Sequence, residues 1–206
     1  MATKDTTELH ILEAAKRLFF EHGFAGTSTT DIAREAGVNQ ALVHYYYRTK
    51  ENLFRQIFIE QARNIFDMIK QTFENDLPFE DMIRHCVSVY FDLLAANPQL
   101  PYFVLNELIN NPARRTFIRE HFLQDPNYAE VYTRFTEKVR GEIAAGRMVD
   151  IQPLDIMLNL VSLTVFSFIS LPLYKDLLAR TEADCTAYLA HRKEEVIRLL
   201  LRGIRI

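Results

Sequence analysis

Residues 29–47 read TTDIAREAGVNQALVHYYY. Apolar and small residues fall at Ile32, Ala33, Val38, Val43 and Tyr47, a spacing that turns one face of two short helices inward. Ala33 and Ala36 carry too little bulk to hold the helices apart. Gly37 separates them, and glycine takes the left-handed backbone that ends a helix without steric cost. Just upstream, Ser28 stands three residues before Asp31, which predicts a capping box with aspartate in place of the usual glutamate. Asn39 caps the second helix, expected over residues 40–46. Two short helices around a tight turn form a helix-turn-helix, whose second helix enters the major groove of DNA.

The flanks extend the pattern. Residues 9–22 place Ile11, Leu12, Ala15, Leu18 and Phe19 on one helical stripe, and Gly23 ends it. Thr49 caps a long helix expected from residue 50 to about 73. Beyond it, helices alternate with breakers. Pro78 opens one to about residue 96, and a shorter one spans 102–110. A further piece covers 113–122, and Asp125-Pro126 opens another to about 145, capped by Gly146. Pro153 opens an apolar helix that ends before Pro172, and the last helix runs from 181 or 182 to about 202. The expected fold is all-α, with a three-helix DNA-binding domain over 1–50 and a larger helical domain over 51–206.

The outward face of the second short helix carries groups that read and hold DNA. Gln40 has the donor–acceptor pair that matches an adenine edge, and Asn39 shares that chemistry when it is not occupied as a cap. Ala41 and Leu42 suit thymine methyl groups. His44, Tyr45 and Tyr46 suit phosphate oxygens. Tyr47 is expected in the core. From Asn39 to Lys50 there are two cations, Arg48 and Lys50, and no acid. Lys50 also begins a helix, where backbone N–H groups favour a phosphate.

Composition narrows the classes. The net charge of −3 argues against coating DNA by charge alone but leaves room for a local reader. Cys86 and Cys185 lie far apart, no leader precedes them in the polar start, and a reducing cytoplasm is the expected setting. No phosphate loop, nucleophile elbow or dinucleotide fingerprint occurs, which disfavours an enzyme. Metal-ligand pairs are also missing, and no cofactor is expected. Residues 156–173 are mostly apolar, and no charge lies between Asp155 and Lys175. Asn159, Ser162, Thr164, Ser167 and Ser170 interrupt that run, so burial at a subunit interface is expected rather than a membrane span.

The segment ILEAAKRLFFEHGFAGTSTTDIAREAGVNQALVHYYYRTKENLF, residues 11–54, closely resembles the N-terminal domain of the TetR (tetracycline-repressor-like) family. The match covers about residues 9–58. It includes Phe24 after Gly23, the Ile32-Ala33 pair, Ala36 to Val38, the aromatic run Tyr45 to Tyr47, and Thr49 to Phe54. The resemblance implies a homodimer with two DNA-binding domains and a diverse C-terminal domain that binds a ligand and dimerises through its last two helices. Carried over by position, DNA contacts fall at Thr29, Thr30, Gln40, Ala41, Leu42, His44, Tyr45 and Lys50. His44 departs from the tyrosine that many members carry there.

The partners expected are a palindromic double-stranded operator, a second copy of the chain and a small apolar or aromatic effector. A repressor released by that effector fits these residues. An activator or ligand-independent regulator of the same fold also fits them, as does a helical binding module without DNA function. Candidate cavity residues are Phe66, His85, Tyr90, Tyr102, Phe103, Asn106, Glu107 and Tyr132. Candidate dimer residues are Leu160, Leu163, Phe166, Tyr188, Val196 and Leu199.

Overall fold

The computed structural model describes residues 6–74 and 77–205. Residues 1–5 of the polar start lie outside the described residues. Eleven α-helices are found among the described residues: α1 Thr6–His22, α2 Thr29–Glu35, α3 Gln40–Tyr47, α4 Lys50–Glu74, α5 Phe79–Ala96, α6 Leu100–Asn110, α7 Pro112–Ile118, α8 Pro126–Ala144, α9 Pro153–Ile169, α10 Leu171–Leu177 and α11 Glu182–Ile204. A π-helical turn, Arg119–Leu123, follows α7. The packing forms two units, Met1–Asn64 with Tyr102–Asn111, and Ile65–Pro101 with Pro112–Ile206.

The first unit is built around phenylalanine. The Phe54 ring meets Phe19 and Phe24 edge-on, each at 5.0 Å between centroids, and Phe103 at 5.3 Å. Such edge contacts align the positive rim of one ring with the negative face of another. This is why residues 51–64 and 102–111 pack with the N-terminal helices. The Tyr47 hydroxyl donates to the Glu8 carbonyl at 3.1 Å, which joins α3 to α1.

The second unit buries one stripe each of α5, α9 and α11. On α5, the buried residues Phe79, Met82, Ile83, Val87, Phe91 and Leu94 recur every three or four positions. Phe91 meets Phe168 of α9 at 5.4 Å. Helix α11 starts in a capping box, in which the Thr181 hydroxyl accepts from the Asp184 N–H and the Asp184 carboxylate accepts from the Thr181 N–H. Its far end is tied to α5 by an Arg205–Glu80 ion pair, with Nε to Oε1 at 2.8 Å.

The apolar helix ends before Pro172, as its spacing predicts, and a short helix outside the sequence reading follows it. Helix α9 ends at Ile169, and α10 begins at Leu171 with Pro172 in its first turn. A proline there costs little, because first-turn N–H groups have no partner within the helix. Pro153–Leu177 is long and apolar enough to cross a membrane by composition, with a mean hydropathy of 2.0. Within one chain it leaves Leu158, Phe166 and Leu177 exposed.

Candidate functional site

The reading elements are short, and local chemistry fixes their ends. At α2 the Ser28 hydroxyl accepts from the Asp31 N–H at 3.1 Å, and Asp31 Oδ2 accepts from the Ser28 N–H at 3.3 Å. The hydrogen bond from the Ser28 side chain holds the Asp31 carboxyl below its ordinary value. Arg34 pairs with the same carboxylate. Gly37 takes φ +67°, and the chain turns there with the Val38 N–H bonded to the Ala33 carbonyl at 2.9 Å. Asn39 caps α3 by accepting from the Leu42 N–H at 3.0 Å, so its side-chain oxygen is already engaged.

Helix α3 turns Val43 and Tyr47 into the core and leaves Gln40, Ala41, His44 and Tyr45 exposed. Leu42 is half-buried. Tyr45 stands out furthest, 76% exposed, with its ring edge-on to Tyr46 at 5.1 Å. On α2, Thr30 is exposed and Thr29 half-buried. Gln40 Nε2 donates to the Thr29 hydroxyl at 2.9 Å, a link across the turn that spacing alone does not reveal. His44 Nδ1 lies 3.1 Å from the Arg48 carbonyl. A carbonyl only accepts, so Nδ1 carries the proton, and Nε2 of the neutral ring is left as an acceptor. Arg48 ends α3 with φ +63°, a left-handed conformation that is uncommon for a residue with a side chain.

Lys50 has other partners in addition to its helix-start position. Its ammonium donates to the carbonyls of Phe24 and Thr27, both at 2.9 Å, and lies 4.1 Å over the Phe24 ring. Two of its three donors therefore bind the start of α4 to the loop between α1 and α2. The N–H groups at the start of α4 remain the part of this position that suits a phosphate.

The second unit contains two adjoining cavities. The inner one, of about 90 Å³, is walled by Ile65, Met68, Ile69, Thr72 and Phe73 of α4, Ile83, Cys86 and Tyr90 of α5, Phe135 of α8, and Ile156, Met157, Leu160 and Val161 of α9. The outer one, of about 460 Å³, is walled by Phe66, Ile69, Phe73, Leu123, Tyr128, Ala129, Val131, Tyr132, Thr133, Phe135, Leu154 and Met157. Burial pushes the Tyr90 phenol up to about 12 and the Cys86 thiol likewise to about 12, so both stay neutral near pH 7. A neutral thiol is a weak nucleophile, so Cys86 acts here as wall material.

These walls correct part of the sequence reading. Phe66, Tyr90 and Tyr132 line the cavities. Phe103 does not, because it is core of the first unit, at 4.7 Å from Phe20 and 6.1 Å from Phe58. Tyr102, Asn106 and Glu107 share that unit with Phe103 and line neither cavity. His85 is exposed while its neighbour Cys86 faces the inner cavity, as the turn between successive helix residues requires. Apart from Phe66, the walls supplied by α4 were missed, although Ile65, Met68, Ile69 and Thr72 follow the helical stripe rule.

The dimer candidates also divide. Phe166 is 64% exposed and Leu199 43% exposed, whereas Leu163 and Tyr188 are half-buried. Leu160 is half-buried and lines the inner cavity. Val196 is wholly enclosed by its own chain, so it cannot touch a partner. Leu154, Leu158 and Val161 of α9, also exposed, were not singled out from the sequence.

Residues 11–57 match the model of a family described as bacterial regulatory proteins, tetR family. The HTH-type transcriptional repressor AcnR of Corynebacterium diphtheriae is 27% identical over 164 residues, which span 78% of this chain and 77% of that one. The fatty acid metabolism regulator protein of Bacillus subtilis is 23% identical over 108 residues, 52% of this chain and 56% of its own length. A transcriptional regulator of Saccharomonospora viridis, solved in complex with choline, superposes over 97% of both chains with a TM-score of 0.71 at 19% identity.

Proposed function

Because this chain is a transcriptional regulator of the TetR family, we propose that it is a homodimeric repressor that leaves a palindromic operator when an effector fills its helical domain. The observation that carries the DNA reading is the exposed, acid-free outer face of α3 on a rigidly capped support. Gln40 reads a base edge, Ala41 and Leu42 touch thymine methyls, and Thr29 and Thr30 flank them. Tyr45, the remaining donors of Asn39 and the N–H groups at Lys50 hold phosphates. His44 stands beside them, its Nε2 3.5 Å from Gln40 Nε2.

Two copies are needed to place two reading helices about 34–36 Å apart in successive major grooves. The exposed apolar residues of α9, with Leu199 of α11, support the face through which the copies meet. Helix α4 supports the coupling. One end walls both cavities, and the other is held by Lys50 to the loop that precedes the reading helices. An effector shifts the equilibrium only by its differential affinity for the two states. The regulator acts in the cytoplasm, where its operator lies.

Fluorescence anisotropy with the duplex upstream of the protein's own gene, against an unrelated duplex, tests the reading. Specific binding is expected to be at least ~10³-fold tighter than non-specific at physiological salt. Equal weak binding to the two duplexes would count against it. Replacing Gln40 by Ala is expected to relax discrimination at one operator position by about 1–3 kcal/mol. Unchanged preference at every position would remove Gln40 from the base-reading set.

A further inference from the structure

The two cavities share four walls, Ile69, Phe73, Phe135 and Met157, and so adjoin there; the smaller is called the inner chamber and the larger the outer. Among the described residues, neither wall set contains an Asp, Glu, Lys, Arg or His residue. A buried carboxylate or ammonium would therefore lose its hydration and gain no counter-charge, a cost that apolar contact does not offset. Size separates the chambers further. A dry apolar cavity of roughly 150 Å³ holds a benzene ring. The inner chamber, about 90 Å³, is smaller than that, and the outer, about 460 Å³, is larger.

The polar atoms of the walls are mostly satisfied. The Thr72 hydroxyl donates to the Met68 carbonyl at 3.1 Å, Thr133 to Ala129 at 3.2 Å, and Tyr128 to Asp67 at 2.6 Å. The Tyr90 hydroxyl of the inner chamber has no such partner among the described residues. It is a neutral donor that no protein acceptor takes, beside the Thr72 hydroxyl and the Cys86 thiol, and so it is open to an acceptor on a ligand.

We propose that the effector is an uncharged, largely aromatic molecule that seats its ring in the outer chamber and passes a slender arm inward, where an oxygen acceptor takes the Tyr90 hydroxyl. The proposal rests on the reading of this domain as effector-binding. The outer walls Phe66, Phe73, Tyr132 and Phe135 suit an aromatic body. A ketone, ester or ether oxygen meets Tyr90 without bringing charge.

Calorimetric titration of the full chain with benzylacetone, phenylbutyrate and phenylpropyl-trimethylammonium tests the class, since the three share a ring and an arm and differ in charge. Benzylacetone is expected to bind at least about tenfold tighter than either ion at pH 7. Tyr90→Phe, which keeps the ring and removes the donor, is expected to weaken benzylacetone about three- to tenfold. Tyr102→Phe, at a residue that lines neither cavity, should leave it unchanged. Equal or tighter binding of phenylbutyrate, or of the ammonium compound, overturns the proposal. So does a Tyr90→Phe variant that binds benzylacetone as the parent does, or a parent that binds none of the three. The operator titration separates the two readings. Benzylacetone bound at Tyr90 without change in operator affinity keeps the ligand class and removes the release mechanism. Specific operator binding with no probe bound does the reverse.

Discussion

Phe54→Ala is expected to destabilise the first unit by about 3–5 kcal/mol, the cost of removing a large aromatic side chain from a packed core. Phe54 is fully buried and touches rings from three other segments, Phe19 of α1, Phe24 of the following loop and Phe103 of α6. No single neighbour can move to fill the space, so the cavity term adds to the lost transfer energy. The chain contains no tryptophan and nine tyrosines, so tyrosine fluorescence during guanidinium unfolding is the natural reporter. Operator binding should fall with the population of folded first unit. A loss below about 1 kcal/mol, within the ordinary range for point changes, would show that the cluster repacks around the gap.

Phe166→Asp is expected to convert the proposed dimer to a monomer and to weaken operator binding by at least about a hundredfold. The side chain is 64% exposed in the single chain, so a carboxylate there is solvated and the monomer fold survives. At a dimer interface the same carboxylate would be buried without a partner, which is strongly unfavourable. A monomer offers one reading helix at a time and loses the effective concentration that links the two half-sites. Sedimentation equilibrium should give a two-chain mass for the parent and a one-chain mass for the variant. A variant that keeps the parent's mass would move the interface away from this face of α9.

Much of the fold was legible because helix ends carry local chemistry. Ser28, Gly37, Asn39, Gly146 and Thr181 each act within one turn, and local chemistry is what a linear sequence contains. The exposed face of α3 was legible for the same reason, since Val43 and Tyr47 mark the inner side and the outer side follows by rotation. What failed was choosing between faces of a helix that is apolar on more than one side. Val196 and Leu199 are three residues apart and were assigned together, but Val196 is enclosed and Leu199 is exposed. Tyr102 and Phe103 are one step of about 100° apart, and only Phe103 enters the core. The π-helical turn after α7 gave no signal, since its wider winding depends on tertiary packing such as the Phe66–Phe122 stack at 4.7 Å.

The uncharged stretch between Asp155 and Lys175 has a further consequence, for fidelity among related regulators in one cell. Partner choice is a difference of affinities, and like-charge repulsion is the usual means of refusing a wrong partner. A face made of Leu154, Leu158, Val161 and Phe166 has no such repulsion to offer. Discrimination against a co-expressed relative then falls to shape alone, and a relative with a similarly smooth face would form mixed pairs. Such a pair would carry two different reading helices and address an operator whose halves do not mirror each other. In the proposed dimer the same apolar surface would in this way widen the set of sequences the cell can regulate.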